Sequence, residues 1–299
     1  MLSSCTIIVI CMKTIFIILN YKTYNETIAI ANELLRGIGD RMIVIVDNAS
    51  PNESFCVLRN VFQNEAKVEV ISSGENGGYA KGNNFALRYI KKYAPQYVCI
   101  INNDVHFDIS LIERMEIKYT LINDIAFLAP VQYLPDGKPA TFLDLKKIPS
   151  FGNDIKTVIG LGQKSKHIYS SDCQLDLQEV SIVPGAFLFI NYSLFERLGF
   201  FYEGTFLFGE ERFLARKVKD NNLHNYILLN EFYIHAHSVT INSEATKNKQ
   251  RKMLLDGKVL YTKYYRKFPL LKVGLLYLAY YASVPLHSVV YKWRRLYKN

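Results

Sequence analysis

The chain has 299 residues, 49% of them apolar, which suits one large α/β domain with a sizeable core and excludes a disordered composition. Its net charge is +9, yet the nine basic residues from Lys258 onward meet no acid, and the stretch before them balances 27 basic against 27 acidic residues. A nucleic-acid binder spreads basic surface over its folded domain, so charge confined to one tail argues against that class and favours a membrane surface.

In chain order, the apolar run 1–19 has no basic leader, is interrupted by Lys13 and lacks a small-residue cleavage site, so it does not read as a signal peptide. Residues 1–13 read as an N-terminal extension, with a short anchor as the other reading of 1–12. TIFIIL (14–19) is a strand. Residues 25–38 have apolar side chains at helical spacing behind a capping Asn25. MIVIVD (42–47) is a β-branched strand, 51–64 a helix opened by Pro51, and KVEVIS (67–72) a third strand. Residues 79–93 form a helix entered from Gly77-Gly78, QYVCII (96–101) a fourth strand and 109–122 a further helix. Four such units predict a mostly parallel sheet covered on both faces, with ligands beyond the carboxyl ends of its strands.

After Pro130 the pattern loosens. Residues 133–140 are turn-rich, and 141–179 carry little periodicity. Order returns at 180–191 and 193–201, with a helix over 209–220 and a strand over 226–237. Residues 273–291 are nineteen without a charge, near the minimum for a membrane span but interrupted by Pro285 and His287. A helix lying in a membrane interface, a core helix and a span all remain open there. The five cysteines, Cys5, Cys11, Cys56, Cys99 and Cys173, show no zinc or CxxC spacing and read as reduced thiols of a cytoplasmic protein.

Chemistry collects where the first four strands end. Those ends are Asn20-Tyr21, Asp47 to Ser50, Glu75 to Gly78 and Asn102 to Asp104. All four fall on one edge of a parallel sheet. Asp47 can accept hydrogen bonds from a base or a ribose. Gly77-Gly78 permits close backbone approach and positive φ. The helix after it offers free N–H groups to phosphate, with Lys81 as an added cation. Asp104, with Asn102 beside it, can hold a hard divalent cation that bridges phosphate oxygens. Each cluster alone reads equally as a turn, a cap or a loop.

The ordered set ILNYKTYNET, IVIVDNASPNES, ENGGYAKGNN, INNDV, PGAFLFINYSLFERLGFFYEGTFLFGEERFLARK and HAHSVT resembles the family 2 glycosyltransferases, over roughly residues 14–240. These are inverting enzymes of the GT-A fold, and the set is most similar to the rhamnosyltransferase and capsule-synthesis branch that builds surface polysaccharide such as O-antigen. The resemblance implies a GT-A domain over 14–250 and a basic, apolar, membrane-associating helical region over 251–299. It implies a nucleoside diphosphate-sugar donor, a glycan or lipid-linked acceptor, and peripheral attachment to the inner face of the cell membrane.

By the same resemblance, Asn20 and Asp47 line the base pocket, and Asn76, Gly78 and Lys81 face the nucleotide-sugar. Asn102, Asn103 and Asp104 stand for the family's DxD signature, with Asp104 as the one carboxylate for Mg2+ or Mn2+. Glu211 is the base on the acceptor hydroxyl, and Glu210 orients the site. Of His235 and His237, which alternate on a strand, His237 is preferred as a metal ligand. Two rivals stay open: a catalytically silent glycan- or nucleotide-binding module, and a sugar-1-phosphate nucleotidyltransferase.

Overall fold

A computed structural model describes residues 13–140, 145–161, 176–236 and 244–296. Its first half is a run of strand–helix units: β1 (Thr14–Asn20), α1 (Tyr24–Leu35), β2 (Met42–Asp47), α2 (Ser54–Phe62), β3 (Val68–Ser72), α3 (Gly78–Tyr89) and β4 (Tyr97–Asn102). β1 and β2 are apolar nearly throughout because helices cover both of their faces, as parallel strands require. In α1 the inward stripe is Thr27, Ile30, Ala31 and Leu34, the helical period of an element buried on one side. α3 buries mostly small residues, among them Gly78, Ala80, Gly82 and Ala86. At Gly82 an added Cβ would lie 2.6 Å from the Leu19 side chain, so the small face lets α3 lie close on the strand tips.

The second half departs from simple alternation. It comprises β5 (Val105–His106), α4 (Ser110–Thr120), β6 (Ile125–Tyr133), α5 (Phe151–Val158), β7 (Leu177–Val180), β8 (Phe187–Asn191), α6 (Tyr192–Arg197), α7 (Glu210–Asp220) and β9 (His224–His235). The sheet runs β3-β2-β1-β4-β8-β6-β9-β5, with β7 on β9. β8 lies antiparallel to β4 and to β6, whereas β6 and β9 are parallel. The sheet is therefore mixed, against the mostly parallel one expected. One apolar core lies on the face covered by α3 and α7, and another on the face covered by α1, α2 and α4.

Residues 141–179, which show little periodicity, nevertheless hold α5. Its start is set by Ser150, whose hydroxyl accepts from the Asn153 N–H. The C-terminal region is two long helices, α8 (Glu244–Tyr265) and α9 (Pro269–Leu296). The expected boundary after residue 250 falls inside α8. No described helix is long and apolar enough to cross a membrane. Instead α8 and α9 close a small core with α5, in which Val158, Leu255, Val259 and Leu276 are buried. Each such side chain contributes about 1.5–3 kcal/mol relative to exposure.

An ion cluster fastens this assembly to α7. Buried Asp154 receives both terminal nitrogens of Arg212 at 2.9 Å and Arg266 Nη2 at 2.7 Å, with Lys258 Nζ 3.8 Å away. The Tyr261 ring lies against both guanidinium groups, at 4.1 and 5.6 Å. Burial pushes the Lys258 ammonium below its usual range. Two of the nine tail cations, Lys258 and Arg266, are thus spent inward.

Candidate functional site

Strand register brings the polar strand ends into one row: Asn20 pairs with Asp47, Asp47 with Ser72, and Leu19 with Asn102. Asn20 and Asp47 are 0% and 1% exposed. A buried carboxylate must be hydrogen-bonded. Asp47 accepts from Asn20 Nδ2 at 2.8 Å and from the Ser50 N–H at 2.9 Å, while Thr27 donates to Asn20 Oδ1 at 2.8 Å. The two residues expected in a base pocket therefore hold the strand tips and the 47–50 turn together, from below its surface.

Asn48, which the motif reading passed over as a turn residue, joins this row to the glycine turn. Its Nδ2 donates to Asn76 Oδ1 at 3.0 Å and to the Gly78 carbonyl at 3.3 Å. Asn76 Oδ1 also accepts from the Gly78 N–H at 3.2 Å. Gly78 has φ +83°, and an added Cβ would lie 2.0 Å from the Phe206 carbonyl oxygen. The close approach expected of a ligand at Gly78 is thus made by the chain itself on that side. Lys81, expected to face phosphate, pairs with Glu75, and both side chains are exposed at the rim.

The Asn102–Asp104 triplet splits in direction. Asn103 Nδ2 donates to Thr23 Oγ1 at 2.7 Å and to Thr27 Oγ1 at 2.9 Å, which ties the end of β4 to the start of α1. Asp104 Oδ1 lies 3.1 Å from His235 Nε2, and Asn102 Nδ2 lies 3.4 Å from the same nitrogen. On the far side of the ring, Gln132 Nε2 lies 3.1 Å from Nδ1, and Tyr233 OH donates to Gln132 Oε1 at 2.9 Å. With its oxygen taken by Tyr233, the Gln132 amide donates to Nδ1. In the neutral ring the proton then sits on Nε2 and faces Asp104. His235 is thereby the histidine placed at the carboxylate. The preferred His237 lies outside the described residues. Among the described residues no three His, Cys, Asp or Glu side chains cluster as a metal cage.

Glu210 and Glu211 open α7 behind a tight turn, with Phe208 at φ +70° and Gly209 at φ +95°. Gly257 of α8 backs this turn: an added Cβ there would lie 2.9 Å from the Phe208 carbonyl oxygen. Positive φ at a phenylalanine costs energy that only a firm surround sustains. Glu210 is 5% exposed and its Oε2 has no partner, whereas Glu211 is half-buried. Burial, and then the Glu211 charge, push the Glu210 carboxyl well above the usual range; burial raises Glu211 as well. Both carboxyls thus hold their protons to higher pH than an exposed glutamate.

The Glu211 carboxylate rests on Gly185, where an added Cβ would lie 3.0 Å from Oε1. Gly185 leads into β8, which pairs with β4, and the Asn102 N–H donates to the Ala186 carbonyl at 3.0 Å. The structure thus sets Gly78, Asn102 and Glu211 on one edge of the sheet through direct contacts. Carboxylates at the end of β4 and the start of α7, with an amide-rich turn and a helix N-terminus, are groups that can hold a pyrophosphate and take a proton.

Comparison with known proteins agrees. The family model described as "Glycosyl transferase family 2" matches residues 17–199. A low-salt glycan biosynthesis hexosyltransferase, Agl10 of Haloferax volcanii, is 26% identical over 215 residues, which is 69% of this chain and 61% of that protein. The rhamnosyltransferase WbbL of Escherichia coli K12 is 26% identical over 170 residues, 54% of this chain and 61% of that one. The chain so spans about three fifths of these relatives' length. Among solved structures, the mannosyltransferase PcManGT from Pyrobaculum calidifontis, in complex with GDP-Man and Mn2+, aligns over 96% of this chain and 81% of its own. Its TM-score is 0.57 at 14% identity, a likeness of fold. The architecture is that of the GT-A glycosyltransferases.

Proposed function

The chain belongs to glycosyl transferase family 2, and from that premise we propose that it moves a sugar, with inversion, from a nucleoside diphosphate donor to a hydroxyl of a glycan or lipid-linked acceptor in surface polysaccharide synthesis. The observation that carries this reading is Glu211. It is a half-buried carboxylate seated on Gly185, at the sheet edge shared with Asp104 and the Gly77-Gly78 turn.

The donor's base and ribose lie over the turns that Asn20, Asp47 and Asn48 hold rigid. Its pyrophosphate lies toward Asn76, the start of α3 and Asp104, with Lys81 at the rim. Glu211 accepts the proton of the acceptor hydroxyl as that oxygen attacks the anomeric carbon from the face opposite the departing diphosphate. Burial and the neighbouring Glu211 charge favour the neutral form of Glu210, which keeps Glu211's surroundings low in charge. Raised basicity suits Glu211 to a proton-accepting role near neutral pH.

Asp104 is one carboxylate, with Asn102 beside it and His235 fixing its direction. This set fits Mg2+ or Mn2+ that arrives with the diphosphate and keeps several waters, and does not fit a pre-formed cage. When bound there, the ion neutralises the leaving diphosphate.

The C-terminal helices supply attachment to an anionic membrane surface. Phe268, Leu271, Leu275 and Leu278 of the α9 region are exposed at helical spacing, and Lys267 and Lys272 lie among them in sequence.

The test is turnover of a panel of UDP-, GDP- and dTDP-sugars with Mn2+ or Mg2+. We expect hydrolysis or transfer of at least one donor and a drop of about 10²–10⁴-fold in Glu211→Gln. The single carboxylate at 102–104 favours one second reading, a silent binding module. Inertness toward every donor, with nucleotide-sugar binding retained, would establish it instead.

A further inference from the structure

We infer that Tyr79 is a positioning residue of the transfer reaction: it braces the donor turn, the Gly185 backbone and the Glu211-bearing turn against one another. The inference rests on the reading of Glu211 as the proton acceptor.

Tyr79 is the second residue of α3, directly after the glycine turn. Its backbone N–H donates to the Phe206 carbonyl at 2.9 Å, within the segment that leads to Gly209 and the two glutamates. Its hydroxyl donates to the Gly185 carbonyl at 2.6 Å, across 106 residues of sequence. Its ring meets Phe201 edge-on at 5.7 Å, so backbone, ring and hydroxyl are each held. Gly185 is the residue on which Glu211 rests, with only 3.0 Å between Oε1 and the position a Cβ would take.

One residue, through its backbone N–H and its hydroxyl, thus touches the segments whose spacing decides whether the base meets the acceptor oxygen. The proton needed for this brace is secure. Burial, then the charges of Glu210 and Glu211, hold the phenol well above its usual range, so it stays a donor over the whole working pH range. A tyrosine that merely filled core would need its ring and not its hydroxyl. Here the hydroxyl donates to the backbone carbonyl of Gly185, just before β8.

Without the hydroxyl, the Gly185 carbonyl loses its tether and Glu211 its fixed floor. The donor turn is left intact, because Asn48 and Asn76 hold it independently. The expected consequence is a loss in kcat with donor KM preserved, and a shift in the acidic limb of the pH–rate profile, since the surroundings of Glu211 change.

The experiment compares wild type, Tyr79→Phe, Gly185→Ala, the double variant and Glu211→Gln on whichever donor of the UDP-, GDP- and dTDP-sugar panel wild type turns over with Mn2+. Folded fraction is measured by thermal melting. Tyr79→Phe keeps the ring and should fold. Displacement of a reacting group by about 1 Å can cost about 10²-fold, so we expect kcat to fall about 10–100-fold at a donor KM within about twofold. Gly185→Ala should fall similarly, and the double variant little further, because both act on one floor.

Wild-type kcat and pH profile in Tyr79→Phe, alongside an inactive Glu211→Gln, would overturn the inference and leave the functional reading standing. So would a loss that only tracks the folded fraction. Full turnover in Glu211→Gln would overturn both, so the two failures are distinguishable.

Discussion

The proposed donor side and the glutamate side of the sheet edge are held together differently. The donor side, β1 to β4 with α1 and α3, is a parallel ladder whose strand ends are laced by amides: Asn20, Asn48, Asn76 and Asn103. The glutamate side rests on an ion cluster, a glycine contact between helices and an aromatic stack. Asp154 gathers Arg212, Arg266 and Lys258, Gly257 backs the Phe208–Gly209 turn, and Tyr202 stacks on Phe213 at 4.3 Å. At the strand ends the buried carboxylate, Asp47, is held by an amide and a backbone N–H, whereas Asp154 gathers three cations and loses most when one partner is removed. Glu211 thus stands on the side that the C-terminal helices buttress, and the strand-end amides on the other.

Four experiments break or sharpen this contrast. The largest effect is expected from Asp154→Asn, which leaves three cations close together without their carboxylate. It should destabilise by about 3–5 kcal/mol in chemical denaturation and raise hydrogen exchange in α8 and α7 before β1 to β4. Uniform protection across both regions would erase the distinction. Next, Gly78→Ala forces a Cβ at φ +83° against the Phe206 carbonyl. A loss of about 2–3 kcal/mol is expected, and donor affinity measured by calorimetry should weaken as well. An effect on stability without one on affinity would detach that turn from the donor.

Glu210→Gln should act in the opposite direction. Its carboxyl titrates above the ordinary value in the folded chain, so its contribution is fully present below the unfolded pKa and is lost as pH rises through the folded one. The variant should therefore melt higher than wild type at pH 8 and no higher at pH 4, in paired thermal scans. The smallest effect concerns α9: replacing both Leu271 and Leu278 by Asp should weaken co-sedimentation with phosphatidylglycerol vesicles by about tenfold and leave donor turnover in solution unchanged. Equal sedimentation would assign that face to something other than lipid.

The same contrast governs what was legible in the sequence. Parallel strands buried on both faces are continuous apolar runs that stop abruptly, so β1 to β4 and the polar residues at their tips could be placed by eye. The family resemblance supplied the glutamate pair, which no periodicity marks. Antiparallel β8 between β4 and β6 was not legible, because pairing partners leave no local trace. Short α5 spans too few turns for its period to stand out, and Asp154 meets Arg212 and Arg266 only through separations of 58 and 112 residues.

Asn48 was hidden by its likeness to an ordinary turn residue, and Tyr79 by its likeness to an ordinary core aromatic. Strand alternation sends His235 and His237 to opposite faces, but only the fold shows His235 meeting Asp104.

β8 is the antiparallel strand that joins the parallel set β3-β2-β1-β4 to β6 and β9 in the described sheet. Mechanically that five-residue strand works alongside the contacts of Tyr79 and Asn84 with Phe206, Gly185 and Phe201, so the two sides are tied at more than one point. Phe187 and Phe189, wholly enclosed at that splice, leave it no room to give without opening the core.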